Sequence, residues 1–191
     1  MTLASDRAAN LQPQPTGFPP HARFTVEQFH RLCDALPERR LELVNGEVLE
    51  VIAKGSRHTS VLHRLVRSFM PLVEQEQPQR FELRIEAPLD LGDQQEPEPD
   101  LALVQARPDA YFLVHPTAAS TALVIEVADS SLAFDLDTKL RLYRDAGIPN
   151  YWVVDVQQPA AFYLLQQRHS DPLLEALRDA VETILEDLRG L

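Results

Sequence analysis

From Phe81 to Leu89 the chain alternates strictly, with Phe81, Leu83, Ile85, Ala87 and Leu89 on one side and Glu82, Arg84, Glu86 and Pro88 on the other. A period of two is the spacing of a half-buried strand. Thr121 to Val127 behaves differently. It is a near-continuous apolar run broken by a single acid, Glu126, which predicts a central strand covered on both faces. Tyr151 to Val156 predicts another buried strand, and Phe162 to Leu165 is expected to pair with it. A polar loop, Gly92 to Pro99, leads into a strand from Asp100 to Gln105, and the Pro-containing stretch from Arg107 to Thr117 reads as irregular. Near the other end, Leu41 to Val44 and Glu47 to Ile52 flank Asn45-Gly46. That dipeptide supplies the two positive φ angles of a type I′ turn, so a hairpin is expected there.

Helical spacing marks the remaining elements. Thr25 is placed as the N-cap of a helix from Val26 to Leu36, closed by Pro37. Val61, Leu62, Leu65, Val66, Phe69 and Val73 recur along a helix from about Arg57 to Glu76, in which Pro71 is expected to introduce a bend or a weaker second half. A helix from about Phe134 to Ala146 should stop at Gly147, with Pro149 beyond it. Leu173, Leu174, Leu177, Val181, Leu185 and Leu188 predict a final amphipathic helix at about 172–189. Residues 1–20, rich in Pro, Gln, Ala and Ser, read as a disordered leader, and residues 21–191 as a single domain. Strands interleaved with helices on both sides of a central sheet give an α/β or α+β fold.

Composition narrows the class. A chain of 191 residues with 45% hydrophobic and 25% charged residues can bury a proper core. No apolar run approaches the roughly 20 residues of a membrane span, and no secretory signal is visible. One cysteine, Cys33, excludes an internal disulfide and a cysteine-built zinc site. A cytoplasmic protein is the simplest expectation. The net charge of −11 runs against the Lys and Arg surface that phosphate binding uses, although acids that hold metal ions add negative charge of their own. Arg57, Arg64 and Arg67 on one helix, with Arg39, Arg40 and Arg84, could form a local basic patch; each singly reads equally well as a solvated surface residue.

The candidate chemistry lies between Pro99 and Asp155. Asp100 opens one predicted strand and Glu126 sits inside the next. A carboxylate within Leu-Val-Ile-Glu-Val is costly to bury unpaired and needs a metal, a cation or a raised pKa. Lys54 and Lys139 are the only lysines in the chain, and Lys139 shares a helix face with Tyr143 one turn on. Phosphodiester cleavage near neutral pH needs an activated water and neutralisation of charge on the phosphate. A divalent ion held by one or two carboxylates does both, and a lysine can orient the water or stabilise the transition state. Taken alone, Asp100 reads as a structural acid at a strand start, Lys139 as a solvated helix residue and Tyr143 as core. Asp155, after Trp152-Val153-Val154, reads as a strand end. His63 and His115 have no metal-ligand spacing.

In order, Glu42-Leu43-Val44-Asn45-Gly46-Glu47, Pro99-Asp100-Leu101-Ala102-Leu103-Val104 and Val124-Ile125-Glu126-Val127 resemble successive motifs of the Uma2 family. Asp135, Lys139, Tyr143 and the block Ala146 to Asp155 complete the set, over roughly Phe24 to Leu165. These are proposed endonucleases of the PD-(D/E)XK superfamily. The resemblance implies a restriction-endonuclease-like core, a mixed central sheet flanked by helices and preceded by an N-terminal helix and a β-hairpin. It also implies DNA cleavage dependent on Mg²⁺ or Mn²⁺. Asp100 matches the first metal-binding acid and Glu126 the second, while Glu42 matches an additional acid that can complete the metal site. The superfamily's lysine lies two residues after the second acid, where this chain has Ala128. The family is similar in placing a lysine on the following helix, and Lys139 matches it. His58 falls where the family tends to have a histidine, and reads equally well as a polar residue at a helix start. Beyond Leu165 the family pattern continues with strands, whereas Ser170 to Glu175 runs straight into a helix. Besides a DNA endonuclease, for which a homodimer would supply two active sites, two readings stay open: a catalytically silent nuclease-like module that binds nucleic acid or protein, and a hydrolase of a smaller phosphodiester.

Overall fold

The computed structural model describes residues 21–76, 78–157, 161–167 and 171–190, so the expected leader over 1–20 lies outside the described residues. Helix α1 (Val26–Ala35) starts at a capping box. The Thr25 hydroxyl accepts the Gln28 N–H at 3.3 Å, and the Gln28 side chain accepts the Thr25 N–H at 2.9 Å, so two donors at the helix start are satisfied reciprocally. Strands β1 (Leu41–Val44) and β2 (Glu47–Glu50) form the hairpin, with φ of 52° at Asn45 and 72° at Gly46. Gly46 is required twice over: its φ is left-handed, and a Cβ there would lie 2.8 Å from the Cβ of Arg23. The second strand ends two residues before the expected Ile52, which is exposed.

Helix α2 (Ser56–Glu74) runs on through Pro71 for a further turn, closed by the Gln75 N–H donating to the Pro71 carbonyl at 3.0 Å. The missing proline N–H removes one helical bond close to the end of the helix, and six buried residues from His58 to Val73 hold the rest to the sheet. Strand β3 (Phe81–Ile85) is shorter than its alternation predicts. At Glu86 the backbone turns to a φ of 46°, and its N–H donates to the Asp100 carbonyl at 3.0 Å. Leu89, at the end of the same alternating run, is instead buried in the opposite face of the core.

Strands β4 (Leu101–Gln105) and β5 (Thr121–Ala128) follow. A short helix α3 (Leu132–Phe134) passes through one π-helical turn (Asp135–Lys139) into α4 (Leu140–Ala146). Gly147, at φ 87°, ends α4 in the left-handed conformation that glycine adopts without strain. Strands β6 (Asn150–Asp155) and β7 (Ala161–Gln167) and helix α5 (Pro172–Arg189) complete the chain.

The five-stranded sheet has the order β3-β4-β5-β6-β7. Its one parallel pair is β5 with β6, joined by the crossover through α4; the other three pairs are antiparallel. Alternate residues of the central strands face opposite layers. Leu101, Leu103, Leu123, Ile125, Val127 and Trp152 share a core with α2 and α5. Ala102, Val104, Val124, Ala128 and Val153 share another with Leu142 and Tyr143 of α4, Val44 of the hairpin and Leu89. The fold is a mixed α/β sheet flanked by helices, and the parity of β4 and β5 turns Asp100 and Glu126 toward the second layer.

Candidate active site

Leu101 lies opposite Ile125 in the β4–β5 ladder, so the next step along the antiparallel pair brings Asp100 beside Glu126. Both side chains are buried. The Asp100 N–H points at the Glu126 Oε2 from 3.4 Å, and the Val127 N–H donates to the Asp100 Oδ2 at 2.7 Å. Three further elements supply the surroundings. His58, in the first turn of α2, places Nε2 3.0 Å from the Asp100 Oδ1, and the Lys54 Nζ, just ahead of that helix, donates to the same oxygen. Lys54 also reaches the Glu86 carboxylate at 2.6 Å.

Glu126 is held from the other side by α4 and its π turn. The Tyr143 hydroxyl donates to the Glu126 Oε1 at 2.8 Å, and the Lys139 Nζ lies 3.2 Å from the same oxygen. The same ammonium donates to the Glu42 Oε2 at 2.7 Å, drawing the hairpin into the site, and the Glu98 N–H donates to that Glu42 oxygen at 3.2 Å. Asp135 is buried one turn before Lys139, with Ser131 donating to its carboxylate at 2.6 Å.

Five carboxyl groups, Asp100, Glu126, Glu86, Glu42 and Asp135, therefore surround two ammonium groups and one imidazole in a space largely closed to water. Burial raises the pKa of Glu126 to about 8. Lys139 opposes the rise, but Asp100, Asp135 and Glu42 add to it, and the one ammonium is divided between Glu126 and Glu42. Asp135 is raised to about 6, again chiefly by burial. For Asp100 burial acts in the same direction and is outweighed by His58 and Lys54, so its carboxyl is held below the ordinary value. Burial would lower the pKa of Lys139, yet the carboxylates of Glu126 and Glu42 prevail and keep it charged.

The donor set suits a hard divalent cation. Asp100 and Glu126 offer carboxylate oxygens without sulfur, the type and number that Mg²⁺ takes from protein before filling its shell with water and phosphate. The surplus of buried acid over cation is the electrostatic condition such an ion relieves. Among the described residues, no group of three or more His, Cys, Asp and Glu side chains converges as a preformed metal cage. Glu42 in particular reaches the site through Lys139.

All five residues singled out from the sequence, Asp100, Glu126, Lys139, Glu42 and Tyr143, fall into one connected network. His58 joins it as a partner of Asp100, while its Nδ1 is buried with no hydrogen-bond partner among the described residues. Lys54 and Glu86 were not foreseen as site residues. Only the rarity of lysine pointed to Lys54, since both lysines of the chain end at the paired acids. Asp155 stays a strand end, its carboxylate accepting the Gln157 N–H at 2.9 Å.

A mixed sheet flanked by helices, with two buried acids on adjacent strands and a lysine on the crossover helix, defines a nuclease-like α/β protein. Residues 26–191 match the Uma2 family, described as "putative restriction endonuclease", and the chain belongs to that family. In three dimensions it is similar to the crystal structure of a putative nuclease belonging to DUF820 from Anabaena variabilis ATCC 29413. The TM-score is 0.60 at 13% sequence identity, over 87% of this chain and 98% of the other, which is a likeness of fold. No curated protein sequence matches.

Proposed function

We propose that the protein is a divalent-metal-dependent DNA endonuclease that hydrolyses phosphodiester bonds at the Asp100–Glu126 pair. The observation that carries this reading is the convergence of two buried acids from neighbouring strands with a lysine from the crossover helix. Asp100 and Glu126 would hold Mg²⁺ or Mn²⁺. Such an ion, when bound, supplies Lewis acidity toward the phosphate and a more acidic water.

The remaining roles belong to the chain itself. Tyr143 and Lys139 fix the Glu126 carboxyl from one side, which leaves Oε2 directed toward Asp100. The Val127 N–H and His58 fix the Asp100 carboxylate. Among the described residues Lys139 is the only cation that pairs with Glu126, and its ammonium would orient a water or balance charge on a phosphate oxygen. Glu42 shares that ammonium and holds it on the sheet side of the helix. Ala128, two residues after Glu126, leaves this lysine no competitor on the strand. Cutting both strands of a duplex calls for two such sites, which a homodimer would supply.

Incubation of the protein with supercoiled plasmid and Mg²⁺ or Mn²⁺ tests the proposal. Nicked circles should form, chelator should stop them, and Glu126→Gln and Lys139→Met should each lower the rate by at least about 100-fold, as for loss of a principal electrostatic group. Absence of nicking by the wild type, or equal nicking by Glu126→Gln, contradicts it.

A further inference from the structure

The solvent side of α2 carries charge of one sign over most of its length. Apart from the buried His58, its charged or titratable residues between Ser56 and Leu72 are Arg57, His63, Arg64 and Arg67, and the one acid of the helix, Glu74, is its last residue. That is unusual in a chain with 29 acids against 18 Lys and Arg. A groove of about 690 Å³ follows this surface, lined by Lys54, Thr59, Ser60, His63, Arg64 and Arg67 among others. Its inner end is Lys54, which donates directly to Asp100. At its outer end Arg64 and Arg67 also line a second hollow of about 370 Å³ against α5, where Arg64 meets Asp187 at 3.8 Å, an exposed pair of small energetic weight.

We propose that this groove is the track of one phosphate backbone of the DNA, along which the polymer runs beside α2 and delivers a phosphodiester past Lys54 to the paired acids. The proposal rests on the nuclease reading above. Its observations are separate, however: a helix face with one sign of charge, a groove along it and Lys54, which lines that groove and donates to Asp100. Charge complementarity identifies the occupant, because Lys54, Arg64 and Arg67 line the groove together with hydroxyls and no acid, a lining that fits a run of phosphates. The twelve residues from Ser56 to Arg67 span ~18 Å at the helical rise, a length over which one strand presents several phosphates. The net charge of −11 is then no obstacle, since the groove lining supplies a local field of the opposite sign.

The test is equilibrium binding of a fluorescent duplex of about 20 base pairs, with Ca²⁺ in place of Mg²⁺ and salt varied between about 50 and 200 mM. Wild type, Arg64→Gln/Arg67→Gln and a control pair of equal charge change, Arg31→Gln/Arg39→Gln, are compared. Two lost phosphate contacts should lower the slope of log K against log salt by about 1.8, and affinity at low salt at least about 10-fold, with the control within about twofold of wild type. An unchanged slope and affinity in the α2 pair, an equal loss in the control, no duplex binding by wild type, or tighter binding of duplex RNA each overturns the proposal. Hydrolysis of bis(p-nitrophenyl) phosphate with Mn²⁺ reads the site without the track. The α2 pair should keep the wild-type rate. If wild type hydrolyses nothing while the α2 pair still loses DNA affinity, the nuclease reading fails and the track stands.

Discussion

Glu126 concentrates the physical tension of this protein. It is a carboxyl group on a central strand, enclosed by the core on α4's side of the sheet, and its pKa of about 8 follows mainly from that burial. A carboxyl group raised above its ordinary 4.5 adds stability that is complete below that value and is lost as pH rises through about 8. Asp135, raised to about 6, acts with the same sign over a narrower window. Thermal melts in chelator from about pH 5 to about pH 9 should therefore show a falling melting temperature for wild type. Glu126→Gln, which keeps a neutral group of the same shape, should fall less steeply. Equal slopes would contradict the assignment. Glu126 was legible in the sequence because a lone acid in an apolar strand has few neutral explanations, whereas Asp100, which alone reads as a structural acid at a strand start, became legible through the motif resemblance. Lys54 was not legible. It belongs to no periodic element, and what brings it to Asp100 is the path between the hairpin and α2.

At the scale of elements, the period-two and period-three-to-four patterns located strands and helices, and their ends were decided by neighbours. The alternation of Phe81 to Leu89 outlasts its strand because Glu86 turns away to bond the Asp100 carbonyl, which carries Glu86 itself to Lys54. No hydropathy pattern encodes a single left-handed residue of that kind. The π turn at Asp135–Lys139 was equally hidden; π turns are frequent at functional sites, and here one carries Lys139 to Glu42 and Glu126 while Asp135 remains buried. Pro71 shows tertiary packing outweighing propensity. Its neighbours Phe69 and Val73 are buried against the sheet and hold the last turn helical. Pro71→Ala should therefore stabilise the protein by about 1–3 kcal/mol, as a regained helical bond and the relief of a helix-interior proline imply. Chemical denaturation would measure it, and an unchanged or lowered midpoint would show that Pro71 carries no helical cost here.

Across the whole molecule, two hydrophobic layers on opposite sides of one sheet make the site possible. The layer with α2 and α5 is the structural slab, and the layer with α4 and the hairpin brings Tyr143, Lys139 and Glu42 over the ends of β4 and β5. His58 and Lys54 approach from the slab side, so the paired acids are gripped between the layers. On α2 the balance of charge is reversed, with Arg57, Arg64 and Arg67 against the single acid Glu74, whereas in the rest of the chain acids outnumber Lys and Arg. Among the described residues no helix is long and apolar enough to cross a membrane. The central claim is that Asp100 and Glu126 together hold a divalent cation. An anomalous difference map from crystals soaked in Mn²⁺ tests it most directly. One strong peak is expected between the two carboxylates, about 2.1 Å from an oxygen of each, absent from Glu126→Gln crystals soaked in the same way. Nicking activity in solution with no peak between these acids, or a peak that survives in Glu126→Gln, would contradict it.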